Sequence, residues 1–161
     1  MATNCAHSVF DQPVKVTRYV TESNIFLPFF GTMILTLVVW IYMYVRRLSY
    51  LHANKVDHAS IATPVAGARV IPHEVSLAAY NLRNLLELPI LFYAVCLYLF
   101  LTGNVDSVQI ASAWWFFVFR VGHTVVHCTS NYVPLRFSLY ILSSVGLWIM
   151  VVRAAVGAFG W

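Results

Sequence analysis

Charge is what this sequence most lacks. Only 10% of its 161 residues are Asp, Glu, Lys or Arg, and just six are acidic. Soluble domains carry about 25% charged residues, so a fully solvated surface is excluded for most of the chain. Cysteine is scarce as well: Cys5, Cys96 and Cys128 are odd in number and show no CxxC spacing. That excludes a disulfide framework or a cysteine-based zinc site. In their apolar surroundings Cys96 and Cys128 read as small buried hydrophobes, and neither has an electropositive niche to activate a thiol. Internal repeats, low-complexity tracts and a basic stripe outside the loops are all missing, so the net charge of +4 implies no nucleic-acid partner.

In place of charge the chain has apolar length. Hydrophobic residues make up 60% of it, gathered into four runs near 25–45, 85–101, 108–127 and 137–159. Crossing a hydrocarbon core about 30 Å thick takes roughly 20 such residues. The expected fold is therefore all-α: an integral membrane four-helix bundle with up-down-up-down topology. Residues 1–24 form a polar N-terminal extension, and residues 25–161 the transmembrane domain. The first run is too long for the core of a cleavable signal peptide.

Cations set the expected orientation. The first connection holds Arg46, Arg47, Lys55, Arg69 and Arg83, and the third has Arg136 at its margin, while the second, "TGNVDSV", carries only Asp106. By the positive-inside rule the first and third connections face the cytoplasm and both termini lie on the other side. Proline marks the helix limits. Pro64, Gly67 and Pro72 interrupt any helical pattern in 52–74, so helix two is expected to begin near Pro72–His73. Pro89 predicts a kink beside Glu87, and Pro134 suits a helix start.

Ionisable side chains in membrane helices are costly, and they usually face the bundle interior and serve a function. Here they gather toward the cytoplasmic end. Arg83, Asn84 and Glu87 have spacings of three and four, which predict a shared helix face. Arg120, His123 and His127 form one stripe of the third helix. Arg136 and Tyr140, four apart, offer a cation and a hydroxyl at the mouth of the fourth. Arg46 and Arg47 stand at the foot of the first helix as interfacial anchors, and Arg153 is an anchor at the far end. The H-x₃-H spacing of His123 and His127 suits a metal, but no third ligand accompanies it and Arg120 would repel a cation. A structural Arg120–Glu87 pair is the competing explanation for two of these charges. Taken together, the set describes a site for a small polar anion, one whose amine would suit Glu87.

The stretches "RNLLE" (83–87), "RVGHTVVH" (120–127) and "VPLRFSLY" (133–140) resemble the MAPEG superfamily, the membrane-associated proteins in eicosanoid and glutathione metabolism, and most of all its prostaglandin E synthase branch. The resemblance covers about residues 25–155. It implies a homotrimer with glutathione held between subunits and a lipophilic electrophile entering from the bilayer. Arg46, Arg83, Asn84, Glu87, Arg120, His123 and His127 fall at glutathione-binding positions, and Arg136 and Tyr140 at catalytic ones. A bacterial-type member would lie in the cell inner membrane with its site toward the cytoplasm. Three positions depart from the branch: His127 replaces a tyrosine, Tyr132 an arginine and Phe137 a serine. The missing hydroxyl at 137 argues against prostaglandin-endoperoxide isomerisation, and a glutathione transferase or hydroperoxide reductase is the activity implied. A non-catalytic scaffold keeping the same fold is the alternative.

Overall fold

The computed structural model describes residues 23–160, so nearly all of the polar extension, including Cys5, lies outside the described residues. What is described is helical between its connections: α1 (Phe26–Ala53), α2 (Pro64–Val70), α3 (His73–Leu85), α4 (Leu88–Leu101), α5 (Ser107–Cys128) and α6 (Val133–Ala158).

Two features differ from the sequence reading of the first connection. Helix α1 runs past Val45 through "RRLSYLHA" to Ala53, ending where Lys55 takes a left-handed φ of 48°. Beyond it the 52–74 stretch is not irregular throughout: a 3₁₀ turn covers His58–Ile61 and α2 follows. Pro64 does not block α2, because it occupies the first turn, where a missing N–H costs nothing. The Thr63 hydroxyl caps that turn by accepting from the Ala66 amide at 3.2 Å.

The expected second helix is broken rather than merely bent. Helix α3 begins at His73, directly after Pro72, and stops at Leu85. Glu87 takes φ −98° and ψ −96°, outside the helical region, and Pro89 lies in the first turn of α4. The predicted i, i+4 geometry of Arg83 and Glu87 therefore does not exist. No ion pair joins them, and each is exposed.

Packing divides the molecule into two halves. Helices α5 and α6 form the most extensive contact, α1 lies along α3, and α4 bridges α1 and α6. In one half Phe29, Phe92, Val95, Leu99, Phe116 and Met150 make a dry core, with Phe92 stacked on Phe116 at 4.4 Å between centroids. Outward faces stay apolar and exposed, as with Leu27, Ile34 and Val38 on α1 and Trp148, Ile149 and Val152 on α6. Exposed apolar faces of this extent require a non-aqueous surround.

Among the described residues three spans are long and apolar enough to cross a membrane: Phe26–Ala53, His73–Leu101 counted across its break, and Val133–Ala158. The chain is a membrane protein. Helix α5, expected as a fourth span, falls short of that apolarity because its inner face carries Gln109, Ser112, Arg120, His123, Thr124 and His127. It is the polar spine of the fold.

Close approach of α5 and α6 depends on Gly146. A Cβ there would meet the Ser112 carbonyl oxygen at 2.8 Å and the Phe116 amide nitrogen at 3.1 Å. Neither is a side-chain end that can move aside. Gly146→Ala is expected to lower stability by about 1–3 kcal/mol, the cost of overpacking. Gly157→Ala, where a Cβ meets nothing within 4 Å, should be neutral or slightly stabilising. Thermal midpoints of the two variants in detergent check this, and equal midpoints would contradict it.

Candidate functional site

The other half of the molecule is organised around Arg120. Its side chain is fully buried, and all three guanidinium nitrogens lack a hydrogen-bond partner. The group is held instead between two rings, with its Cζ 5.2 Å from the centroid of Phe116 and 4.9 Å from that of Tyr140. Such cation–π contacts are attractive but supply no acceptor. The Arg120–Glu87 salt bridge is not formed, although Glu87 and the Tyr140 side chain are both within electrostatic range of the cation. An unpaired buried charge is costly, and no hydrogen-bond acceptor within the described residues offsets it.

The surroundings share that shortage. His123, 2% exposed, bonds through Nδ1 to the Arg136 carbonyl oxygen at 2.9 Å. A carbonyl only accepts, so Nδ1 carries the proton. Nε2 of the neutral ring is then an acceptor, and it has no partner. Asn81 and Thr124 are also buried, and Oδ1 of the one and Oγ1 of the other are likewise unpartnered. The rings of His123 and His127 meet edge to face at 5.5 Å, and His123 lies 5.7 Å from the Tyr140 ring. On α3, Asn84 Nδ2 lies 3.4 Å from His127 Nδ1, while Asn81 Nδ2 donates weakly to Cys128 Sγ at 3.5 Å.

Arg136 joins this cluster from α6. Its Nη1 donates to Asn131 Oδ1 at 2.5 Å, and Asn131 Nδ2 lies 3.5 Å from His73 Nε2 on α3. Asn131 can hold this post because it sits in the left-handed region at φ 47°, which asparagine tolerates better than most residues. Both Arg120 and Arg136 lie within electrostatic range of His123. The structure thus brings together Asn84, Arg120, His123, His127, Arg136 and Tyr140, with Glu87 nearby.

Two of the expected residues lie elsewhere in the chain. Arg83 lines a separate cavity of about 430 Å³ with Arg47, Ser76 and Tyr80, on a face of α3 different from that of Asn81 and Asn84. Arg46 donates to the Tyr42 hydroxyl at 3.3 Å and to the Glu74 carbonyl at 3.2 Å. Phe137 and Tyr132 are 63% and 62% exposed and take no part in the cluster.

Asn81, Thr124 and Asn131 were not singled out from the sequence. Asn81 had a usable signal: it is one turn before Asn84 on a helix face whose other members, Leu77, Ala78 and Leu85, are apolar and buried. Thr124 and Asn131 had none, because a threonine in a helix and an asparagine in a loop are ordinary.

A membrane-embedded helical protein with a buried cationic polar site at one end of the bundle is the class these features define. The chain belongs to the MAPEG family, whose family model matches residues 25–156. Neither a characterised protein nor a solved structure matches it.

Burial without a partner predicts the effect of removing the charge. Arg120→Met keeps the volume and the ring contacts and deletes the cation. Replacing a poorly compensated buried charge by an apolar side chain is neutral or stabilising by about 1–4 kcal/mol. The ligand-free variant should therefore melt no lower than wild type, and a large drop in thermal midpoint would show that Arg120 is paired in the native protein.

Proposed function

We propose that the protein is a membrane-bound, glutathione-dependent transferase or hydroperoxide reductase acting on lipophilic electrophiles. The observation that carries this reading is the guanidinium of Arg120, buried and without an acceptor, amid orphaned acceptors on Asn81, His123 and Thr124. A small zwitterionic peptide supplies what is missing on both counts. Its carboxylates accept from guanidinium groups, and its ammonium and amide N–H groups donate to carbonyl, hydroxyl and imidazole acceptors. Glutathione fits that description, and the family is one of glutathione metabolism.

Glutathione supplies a thiol whose conjugate base is the nucleophile. The chain's own part is to hold that sulfur ionised. In this reading Arg136 favours the thiolate electrostatically, and the Asn131 contact fixes where its guanidinium points. Tyr140, between Arg120 and His123, places a hydroxyl in the same space. Glu87 grips the peptide, and Arg83 and Arg46, which lie on other faces of the chain, contribute across a subunit boundary of a homotrimer. With α5 as the fourth crossing of a four-helix bundle, the Arg136 end faces the cytoplasm. Glutathione arrives from that side while the electrophile enters sideways from lipid.

In conjugation the sulfur bonds to an electrophilic carbon as a leaving group departs. In hydroperoxide reduction two glutathiones become a disulfide while the peroxide yields an alcohol and water. Phe137 offers no hydroxyl beside Arg136, so prostaglandin-endoperoxide isomerisation is the less favoured activity.

The test uses purified protein with glutathione and either a chloronitroaromatic acceptor or an organic hydroperoxide. Turnover of one or both is expected. Absence of turnover together with absence of glutathione binding would refute the proposal, and binding without turnover would point to a scaffold. Arg136→Leu should abolish turnover with the oligomer intact. Asn131→Ala, which frees rather than removes the cation, should cost about three- to tenfold, the scale of one hydrogen bond of about 0.5–1.5 kcal/mol. Thiolate absorbance of bound glutathione against pH separates the two, and unchanged thiolate formation in Arg136→Leu would remove Arg136 from this role.

A further inference from the structure

The side-chain amide of Asn131 sits between a cation and an imidazole, and the chemistry of the two fixes which way it faces. A guanidinium N–H only donates, so the atom that meets Arg136 Nη1 at 2.5 Å must be the carbonyl oxygen Oδ1. The other end of the amide is an NH₂, which also only donates, and it faces His73 Nε2 at 3.5 Å. That nitrogen must then be unprotonated, with the ring proton on Nδ1. The backbone of Asn131 is pinned, at φ 47° and with its N–H donating to the Val126 carbonyl at 2.8 Å. Turning the amide end for end is the freedom left to the side chain.

His73 is exposed in the first turn of α3 and exchanges protons with water. A second proton on its ring, at Nε2, sets a donor against a donor. Turning the amide relieves that clash and gives Oδ1 to the imidazolium, a charge-assisted bond. It also leaves Nδ2 against the Arg136 guanidinium, where nothing accepts. One carbonyl oxygen is thus contested by two groups, and His73 claims it only when charged. Four other groups surround the ring. Tyr80 of α3 lies 5.8 Å away between centroids, and Glu74 follows His73 in sequence, its carbonyl accepting from Arg46 of α1 at 3.2 Å. His127 of α5 is within electrostatic range of His73, and Arg136 of α6 meets it through Asn131.

We propose that neutral His73 is a positioning residue for the reaction, accepting from Asn131 Nδ2 and so keeping Oδ1 turned to Arg136. This rests on the reading that Arg136 holds the glutathione sulfur ionised. His73 acts through Asn131 and carries no chemistry of its own. Its protonation unlatches the guanidinium, so turnover falls on acidification by more than loss of the thiolate alone demands. Water reaches His73, which limits the effect to about two- to threefold, the lower end for one hydrogen bond. Two substitutions separate the acceptor from the proton. Glutamine places an amide oxygen near the position of Nε2 and does not titrate, whereas leucine fills the space and offers no acceptor.

The first measurement needs no glutathione. In the full chain in detergent, labelled with ¹³C in arginine and histidine, the Cζ resonance of Arg136 is followed against pH beside the ring resonances of His73. Arg136→Leu and His73→Gln assign them. The two are expected to move together in wild type, and Arg136 should lose that movement in His73→Gln and in Asn131→Ala. An Arg136 resonance that ignores His73, or moves equally in His73→Gln, would overturn the proposal. The second measurement is turnover of the same electrophiles. Near neutral pH His73→Leu should cost about two- to threefold, while His73→Gln should keep the rate and lose the added acid sensitivity. Added to Asn131→Ala, His73→Leu should cost nothing more, because the two residues act as one unit. A full further loss in the double variant would overturn the proposal, since a merely structural His73 would give that result. Absence of turnover in wild type would refute the transferase or reductase reading, and the resonance titration would still decide what His73 does to Arg136.

Discussion

A cation in the wrong solvent governs this molecule. Arg120 is enclosed by Phe116 and Tyr140 and has no hydrogen-bond acceptor. Its neighbours on α3, α5 and α6 are arranged so that none of them neutralises it. Glu87, the carboxylate nearest in purpose, is kept off by the helix break that puts it outside α3. A direct Arg120–Glu87 bridge would satisfy the chain internally. The break at Leu86–Glu87 leaves the acid close enough to be felt electrostatically and too far to pair.

That constraint explains the division of labour between the two halves. Phe116 stands at the boundary, stacked on Phe92 on its core side and under Arg120 on the other. The dry core of Phe29, Phe92, Leu99 and Met150, with the tight α5–α6 contact at Gly146, anchors one end of α5. Beyond the His123 bond to the Arg136 carbonyl and the Asn84–His127 contact, the polar residues at its other end are then held by packing elsewhere. Unsatisfied groups cost stability, and a rigid α5 is what lets the fold carry several of them in one place.

Much of this was legible in the sequence, because its signals were strong and local. Apolar runs of membrane length marked the helices, Pro72 and Pro134 marked two of their starts, and the stripe Arg120, His123, His127 fell inward as its spacing required. What could not be read depended on longer range or on finer geometry. The i, i+4 argument for Arg83 and Glu87 assumed one unbroken helix, and Pro89 undid it. Thr63 and Pro64 formed a short helix because a capping hydroxyl and a first-turn proline cooperate, where proline alone had suggested interruption. Arg153 was taken for an anchor since its partner, Asp106, is 47 residues away. Asn131 matters only through a left-handed backbone angle that no composition signals. Arg83 and Arg46, placed by resemblance in one site with Arg120, lie on other faces of this chain, and a neighbouring subunit is what the proposed trimer would add.

The central claim is that Arg120 is kept unpaired for a glutathione molecule to complete. The Nε–H resonance of Arg120 in ¹⁵N-arginine-labelled protein, assigned by Arg120→Met and followed during glutathione titration in detergent micelles, tests this most directly. The account predicts that the resonance shifts as the guanidinium gains an acceptor. An unmoved resonance at glutathione concentrations that saturate the protein would contradict it.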